Sequence, residues 1–134
     1  MKKNIFGLLV AFVALSFMGC PTVYEDTKLE YAKATAYYAG SSNDWTFDLM
    51  EFNEANGKCE IEVEVVEGDN FKLTATDSWS IEWTNANLDE SCANADFLDD
   101  PIEEYGKYKT CFAEAGKYKI SMDVTAEKYT IEKL

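Results

Sequence analysis

From Lys33 onward, apolar and polar residues alternate with a period of two, interrupted at short intervals by turn residues. This pattern predicts antiparallel strands packed as a sandwich or barrel, with almost no helix. The clearest strand is Cys59–Val65, where Cys59, Ile61, Val63 and Val65 point one way and Glu60, Glu62 and Glu64 the other. One face is therefore core and the other water, and a one-residue slip would bury three glutamates. Phe71–Ala75 repeats the alternation after the Glu67-Gly-Asp-Asn70 turn. That spacing predicts a hairpin with Val65 beside Phe71 and Glu64 opposite Lys72. Lys117–Val124 and Tyr129–Ile131 predict a terminal hairpin, and Ala34–Ala39 with Thr46–Phe52 a first pair of strands around Gly40–Asp44. Between Thr84 and Gly106 the alternation stops and acids accumulate. The sequence there predicts a long loop in which Asp100-Pro101 opens a capped helical turn. The nine inward residues Cys59, Ile61, Val63, Val65, Phe71, Leu73, Tyr118, Ile120 and Met122 are expected to share one core.

The first twenty residues follow a different pattern. Lys2 and Lys3 precede an apolar run from Ile5 to Phe17, too short to span a bilayer, and Gly19-Cys20 closes it. The segment resembles a bacterial lipoprotein signal, which implies cleavage before Cys20, lipidation of that cysteine and attachment to a membrane through acyl chains. The expected organisation is a signal peptide over 1–19, a lipidated cysteine and polar tether over 20–32, and a β-sandwich over 33–134. Glu25 and Asp26, just after the cysteine, resemble a surface-export signal of such lipoproteins, which implies exposure at the cell surface.

Composition narrows the function. Without residues 1–19 the chain has 115 residues and carries 10 lysines against 25 acids, a net charge of −15. It contains neither arginine nor histidine. A surface that repels polyanions and lacks guanidinium groups excludes nucleic acid as a partner. Acids this abundant fall close together by chance, so they single out no pair for glycoside hydrolysis, and the expectation is a non-enzyme without a cofactor. The acidic loop lacks the spacing of a calcium-binding loop, and no cysteine spacing points to zinc. Cys59, Cys92 and Cys111 allow at most one internal disulfide among three choices. Cys92–Cys111 is favoured because it would pin the long loop to a strand, with three buried thiols as the other reading.

Trp45, Trp79 and Trp83 lie at strand ends or in loops rather than at inward strand positions. Indole planes so placed suit the apolar face of a sugar ring, with neighbouring polar groups for the hydroxyls. Burial of a tryptophan in the core is the competing reading for each.

One family fits this order of residues. Tyr37-Tyr-Ala-Gly40, Asn43-Asp-Trp45, the Glu60–Val65 strand, Gly68-Asp-Asn-Phe71-Lys72-Leu73, Trp79 and Trp83, and Ala115-Gly-Lys-Tyr-Lys-Ile-Ser-Met-Asp-Val124 resemble the domains of SusE and SusF, starch-binding outer-membrane lipoproteins. The resemblance covers about residues 33–134. It implies an immunoglobulin-like sandwich that binds an α-glucan without catalysis, at the outer membrane and within a glycan-uptake complex. By position Trp45 matches the first motif tryptophan, Lys72 the lysine of the following strand, and Trp79 or Trp83 the second tryptophan. Asn85 or Asn87 is then placed to bind sugar hydroxyls. The family carries such domains in tandem, whereas this chain has room for one. The alternative is an envelope lipoprotein of the same fold that serves structure or protein interaction and has no glycan site.

Overall fold

The strands of the computed structural model are β1 (Tyr37–Gly40), β2 (Asp48–Leu49), β3 (Glu51–Asn53), β4 (Lys58–Val65), β5 (Asn70–Thr74), β6 (Glu82–Trp83), β7 (Leu98–Glu104), β8 (Lys107–Phe112), β9 (Gly116–Asp123) and β10 (Lys128–Lys133). The structure describes residues 34–134, so the expected signal peptide, Cys20 and the tether lie outside the described residues.

Every strand pairing is antiparallel, and the strands form two sheets. One runs β2-β1-β5-β8-β7, with β6 also bonded to β5; the other runs β10-β9-β4-β3. The inward residues of the two sheets meet in a single cluster that includes Tyr38, Phe71, Leu73, Trp83 and Phe112 from the first and Cys59, Val63, Val65, Tyr118, Ile120, Met122 and Tyr129 from the second. This is an all-β sandwich. The nine residues expected in the core are all there, with Ile61 partly buried at its margin. Val63→Ala is accordingly expected to lower stability by about 1–3 kcal/mol through lost burial and the cavity left behind, read as a lower urea midpoint.

The terminal hairpin forms as the alternation predicts, in register from Lys128↔Asp123 to Lys133↔Tyr118. The β4–β5 hairpin does not. β4 pairs with β3 and β9, whereas β5 pairs with β1, β6 and β8, so Val65 and Phe71 share the core from opposite sheets. The intervening turn explains the crossing. The Asp69 carboxylate accepts from the Val66 amide at 2.8 Å, while the Gly68 amide donates to the Phe112 carbonyl at 2.9 Å and the Phe112 amide to the Asp69 carbonyl at 2.8 Å. The turn is thus bonded to β8 and hands the chain from the four-stranded sheet to the six-stranded one. Glu64 still faces a lysine, but it is Lys117, and Lys72 lies opposite Ala39.

The acidic segment also departs from expectation. Asp99 pairs with Cys111 and Ile102 with Lys109, so Asp100 and Pro101 together oppose Thr110 in a bulge, not a helical turn. Proline is tolerated there because the bulge asks for no amide, and both faces of this edge strand are wet, so no alternation marks it. The preceding residues form two short 3₁₀ turns, Asn85–Asn87 and Glu90–Cys92, and the Asp89 amide donates to the Tyr129 carbonyl at 2.8 Å beside β10.

Cys59, Cys92 and Cys111 are free and buried, and the expected Cys92–Cys111 bond is absent. The two thiols serve different sheets: Cys92 Sγ lies 3.7 Å from the Ile131 carbonyl of β10, and Cys111 Sγ lies 3.7 Å from the Gly68 carbonyl beside β8. Burial pushes the Cys59 thiol above its ordinary value, and burial together with Asp99 and Asp69 does the same for Cys111. No helix among the described residues is long and apolar enough to cross a membrane.

Candidate functional site

The site is a cleft of about 530 Å³ on the outer face of the six-stranded sheet, lined by Trp45, Lys72, Trp79, Glu82, Glu104, Tyr105, Lys107 and Lys109. Strand pleating supplies its floor. Phe71 and Leu73 turn inward on β5, so Lys72 turns outward, and Glu82, Lys107 and Lys109 emerge on the same face from β6 and β8.

The first tryptophan is positioned by a tightly bonded loop. Gly40 pairs with Phe71 so closely that a Cβ on it would fall 2.7 Å from both the Asn70 carbonyl oxygen and Phe71 Cβ, which lets β1 run directly into the loop. The Asn43 amide group donates to the Thr46 carbonyl at 3.0 Å and to the Asp48 carboxylate at 2.9 Å, and its oxygen accepts from the Gly40 amide at 3.0 Å. Asp44 and Trp45 then take left-handed conformations, φ 60° and 61°, and the Trp45 amide donates back to the Gly40 carbonyl at 2.8 Å. A left-handed bulky residue is strained, and such strain concentrates at functional sites.

Trp79 sits on the loop between β5 and β6. That loop is pinched at its base by the Ala75 amide donating to the Ile81 carbonyl at 3.1 Å, the Thr74 hydroxyl donates to the Thr76 carbonyl at 2.6 Å, and a chain of hydroxyls runs on through Thr76, Ser78 and Ser80. Trp79 is 41% exposed and its ring lies 6.3 Å from that of Trp45, the planes inclined at 53°. Phe47 presses edge-on against Trp79 at 4.8 Å. A lysine stands over each indole: Lys72 Nζ is 4.9 Å from the Trp79 ring centre and Lys109 Nζ 4.9 Å from that of Trp45. The two rings form a supported corner.

Carboxylates hold the lysines in turn. Glu82 bonds Lys72 at 2.6 Å and Lys107 at 3.3 Å, and Glu104 bonds Lys109. Desolvation raises the Glu82 carboxyl, but the hydrogen bonds and charges of Lys72 and Lys107 outweigh it and leave the group below the ordinary carboxylate range. Glu104 is held low by the hydrogen bond and charge of Lys109. A carboxyl depressed in the folded state stabilises fully above its unfolded value and loses that contribution as pH falls toward the folded one. The thermal midpoints of wild type and Glu82→Gln are therefore expected to differ most near about pH 7 and to converge as pH falls below about 4.3. Parallel melting curves across that range check this, and a gap that stays constant would contradict it.

The structure brings together three of the predicted site residues, Trp45, Lys72 and Trp79, and separates three others from them. Trp83 is a correction: it lies inward on β6 opposite Leu73, is 5% exposed and belongs to the core. Asn85 and Asn87 are corrections of another kind, since their amides are used within the fold. Asn85 donates to Thr110 Oγ1 at 2.9 Å, beside the buried Thr110–Tyr129 hydroxyl pair at 2.6 Å. Asn87 accepts from the Thr84 amide and donates to the Glu127 carbonyl, both at 3.0 Å. Neither lines the cleft. Sequence reasoning passed over Phe47, Glu82, Glu104, Tyr105, Lys107 and Lys109. Lysines 107 and 109 come from β8 and Glu104 from the end of β7, two strands that the expected set did not include, and Tyr105 lies in the turn between them.

The fold and the cleft define an all-β sandwich with an aromatic corner on the outer face of one sheet. No family model, curated protein or solved structure matches the chain.

Proposed function

We propose that this protein is a non-catalytic glycan-binding module whose site is the Trp45–Trp79 corner and whose ligand is an α-glucan. The observation that supports this most is the pair of indoles meeting at 53° over a polar floor. Indole faces stack on the apolar face of a sugar ring, while Lys107 and Glu104, each about half exposed, keep hydrogen-bonding capacity for hydroxyls. Rings set at an angle suit a chain that curves, as α-linked glucose does, whereas coplanar rings suit a flat β-linked ribbon.

The carboxyls of the cleft argue against glycoside hydrolysis. Glu82 and Glu104 are both held low by lysines, the opposite of the raised value a general acid requires. The reading includes the lipid anchor at Cys20, an outer-membrane location facing the surroundings, and service to a glycan-uptake complex. Affinity electrophoresis in gels containing amylose, with cellulose derivatives as the flat-chain comparison, tests it. Retardation by amylose and not by the β-linked chain is the expected result. No retardation by any glucan would leave the reading as an interaction or structural module of the envelope.

A further inference from the structure

The β7–β8 hairpin closes over two residues, Tyr105 and Gly106, between the paired Glu104 and Lys107. Both central residues are left-handed, φ 56° and 77°, the arrangement of a type I′ turn. Glycine suits the second position. At the first, asparagine, aspartate or glycine is preferred, and a tyrosine there is strained. Nor does packing account for it, because Tyr105 is 95% exposed. Of the four non-glycine residues with positive φ among the described residues, two are aromatic, Trp45 and Tyr105; they come from separate loops, and both line the same cleft.

We propose that Tyr105 is a third ligand-contacting ring, standing at the lip of the cleft, and that the site therefore takes a sugar chain several residues long, running from the Trp45–Trp79 corner to the hairpin tip. This rests on the glycan-binding reading of the cleft. Its volume of about 530 Å³ falls among pockets that hold drug-sized ligands, more than one sugar ring occupies. A ring at the tip of a two-residue turn has a free face on which a further sugar stacks, while Lys107, the next residue but one, offers its ammonium to the hydroxyls. The strained tyrosine is thus explained by the ligand it meets rather than by the fold it belongs to.

Isothermal titration of wild type, Tyr105→Asn and Trp79→Ala with maltose and with maltoheptaose tests this. Tyr105→Asn is expected to weaken maltoheptaose binding about tenfold, the loss of one stacked ring, and to leave maltose binding within about twofold. Because asparagine relaxes the turn, its thermal midpoint is expected to rise. Trp79→Ala is expected to weaken both sugars. Loss of binding in Trp79→Ala with unchanged maltoheptaose affinity in Tyr105→Asn would overturn the role of Tyr105 alone. A wild type that binds neither sugar would overturn the glucan reading and this inference together. A lower midpoint in Tyr105→Asn would overturn the claim that the tyrosine is held against the preference of its turn.

Discussion

Replacing Trp79 with alanine is expected to reduce the affinity for amylose by about 1–3 kcal/mol, roughly five- to 150-fold, while the folded baseline in circular dichroism stays unchanged. The ring is 41% exposed and sits on a loop, so its removal leaves no cavity in the core. What it removes is a stacking surface, the seat for the Lys72 ammonium and the edge contact with Phe47. Trp45→Ala is expected to act in the same direction. The two rings touch, so the double substitution should lose less than the sum of the single losses. Affinity electrophoresis of the three variants measures the losses of affinity together, and circular dichroism checks the folded baseline of each. Undiminished retention of Trp79→Ala would remove the corner from the proposed site.

The largest stability loss is expected at Phe71. Its side chain is fully buried and meets Tyr38 at 5.3 Å, Phe112 at 5.6 Å and Tyr129 at 5.8 Å, so one ring joins aromatic residues of both sheets. Phe71→Ala should lower the unfolding free energy by about 3–5 kcal/mol, a large share of the roughly 5–15 kcal/mol typical of a folded domain. Chemical denaturation followed by tryptophan fluorescence reads the difference. A loss no greater than that of Val63→Ala would show that the aromatic cluster collapses onto the space left by the ring.

The parts of this fold that the sequence announces are those where one face is dry and the other wet. Cys59–Val65 and Lys117–Val124 alternate cleanly because each lies between a core and solvent, and both strands and their inward residues are where the alternation puts them. Which strand lies beside which is set elsewhere. The choice that sends Phe71 into the opposite sheet from Val65 is made by Asp69 and by the bonds between its turn and Phe112, partners more than forty residues apart. Pattern reasoning has no access to such bonds. The β7 strand is hidden for the opposite reason: both its faces are wet, so Asp99, Asp100 and Glu103 read as loop.

The candidate site divides along the same line. Trp45 and Trp79 stand out because they interrupt or follow strands, and they do meet. Trp83 has the same appearance in sequence and a different fate, because the two-residue strand that turns it inward is too short to show a period. Asn85 and Asn87 follow it as polar loop residues, yet their neighbours in space are Thr110, Thr84 and the Glu127 carbonyl, contacts fixed by tertiary structure.

The charged, proline-bearing β7 has a consequence for how anything can dock beside the cleft. An open sheet edge ordinarily offers a ladder of backbone donors and acceptors to an incoming chain. Here Pro101 has no amide to offer, the Asp99–Ile102 bulge breaks the register, and four carboxylates from Asp99 to Glu104 would be carried into any added strand. A peptide seeking to extend the sheet from that side meets a surface that will not zip. Recognition next to the tryptophan corner is thereby left to side chains, whose shapes and charges a single substitution can retune while the backbone of the sandwich stays as it is.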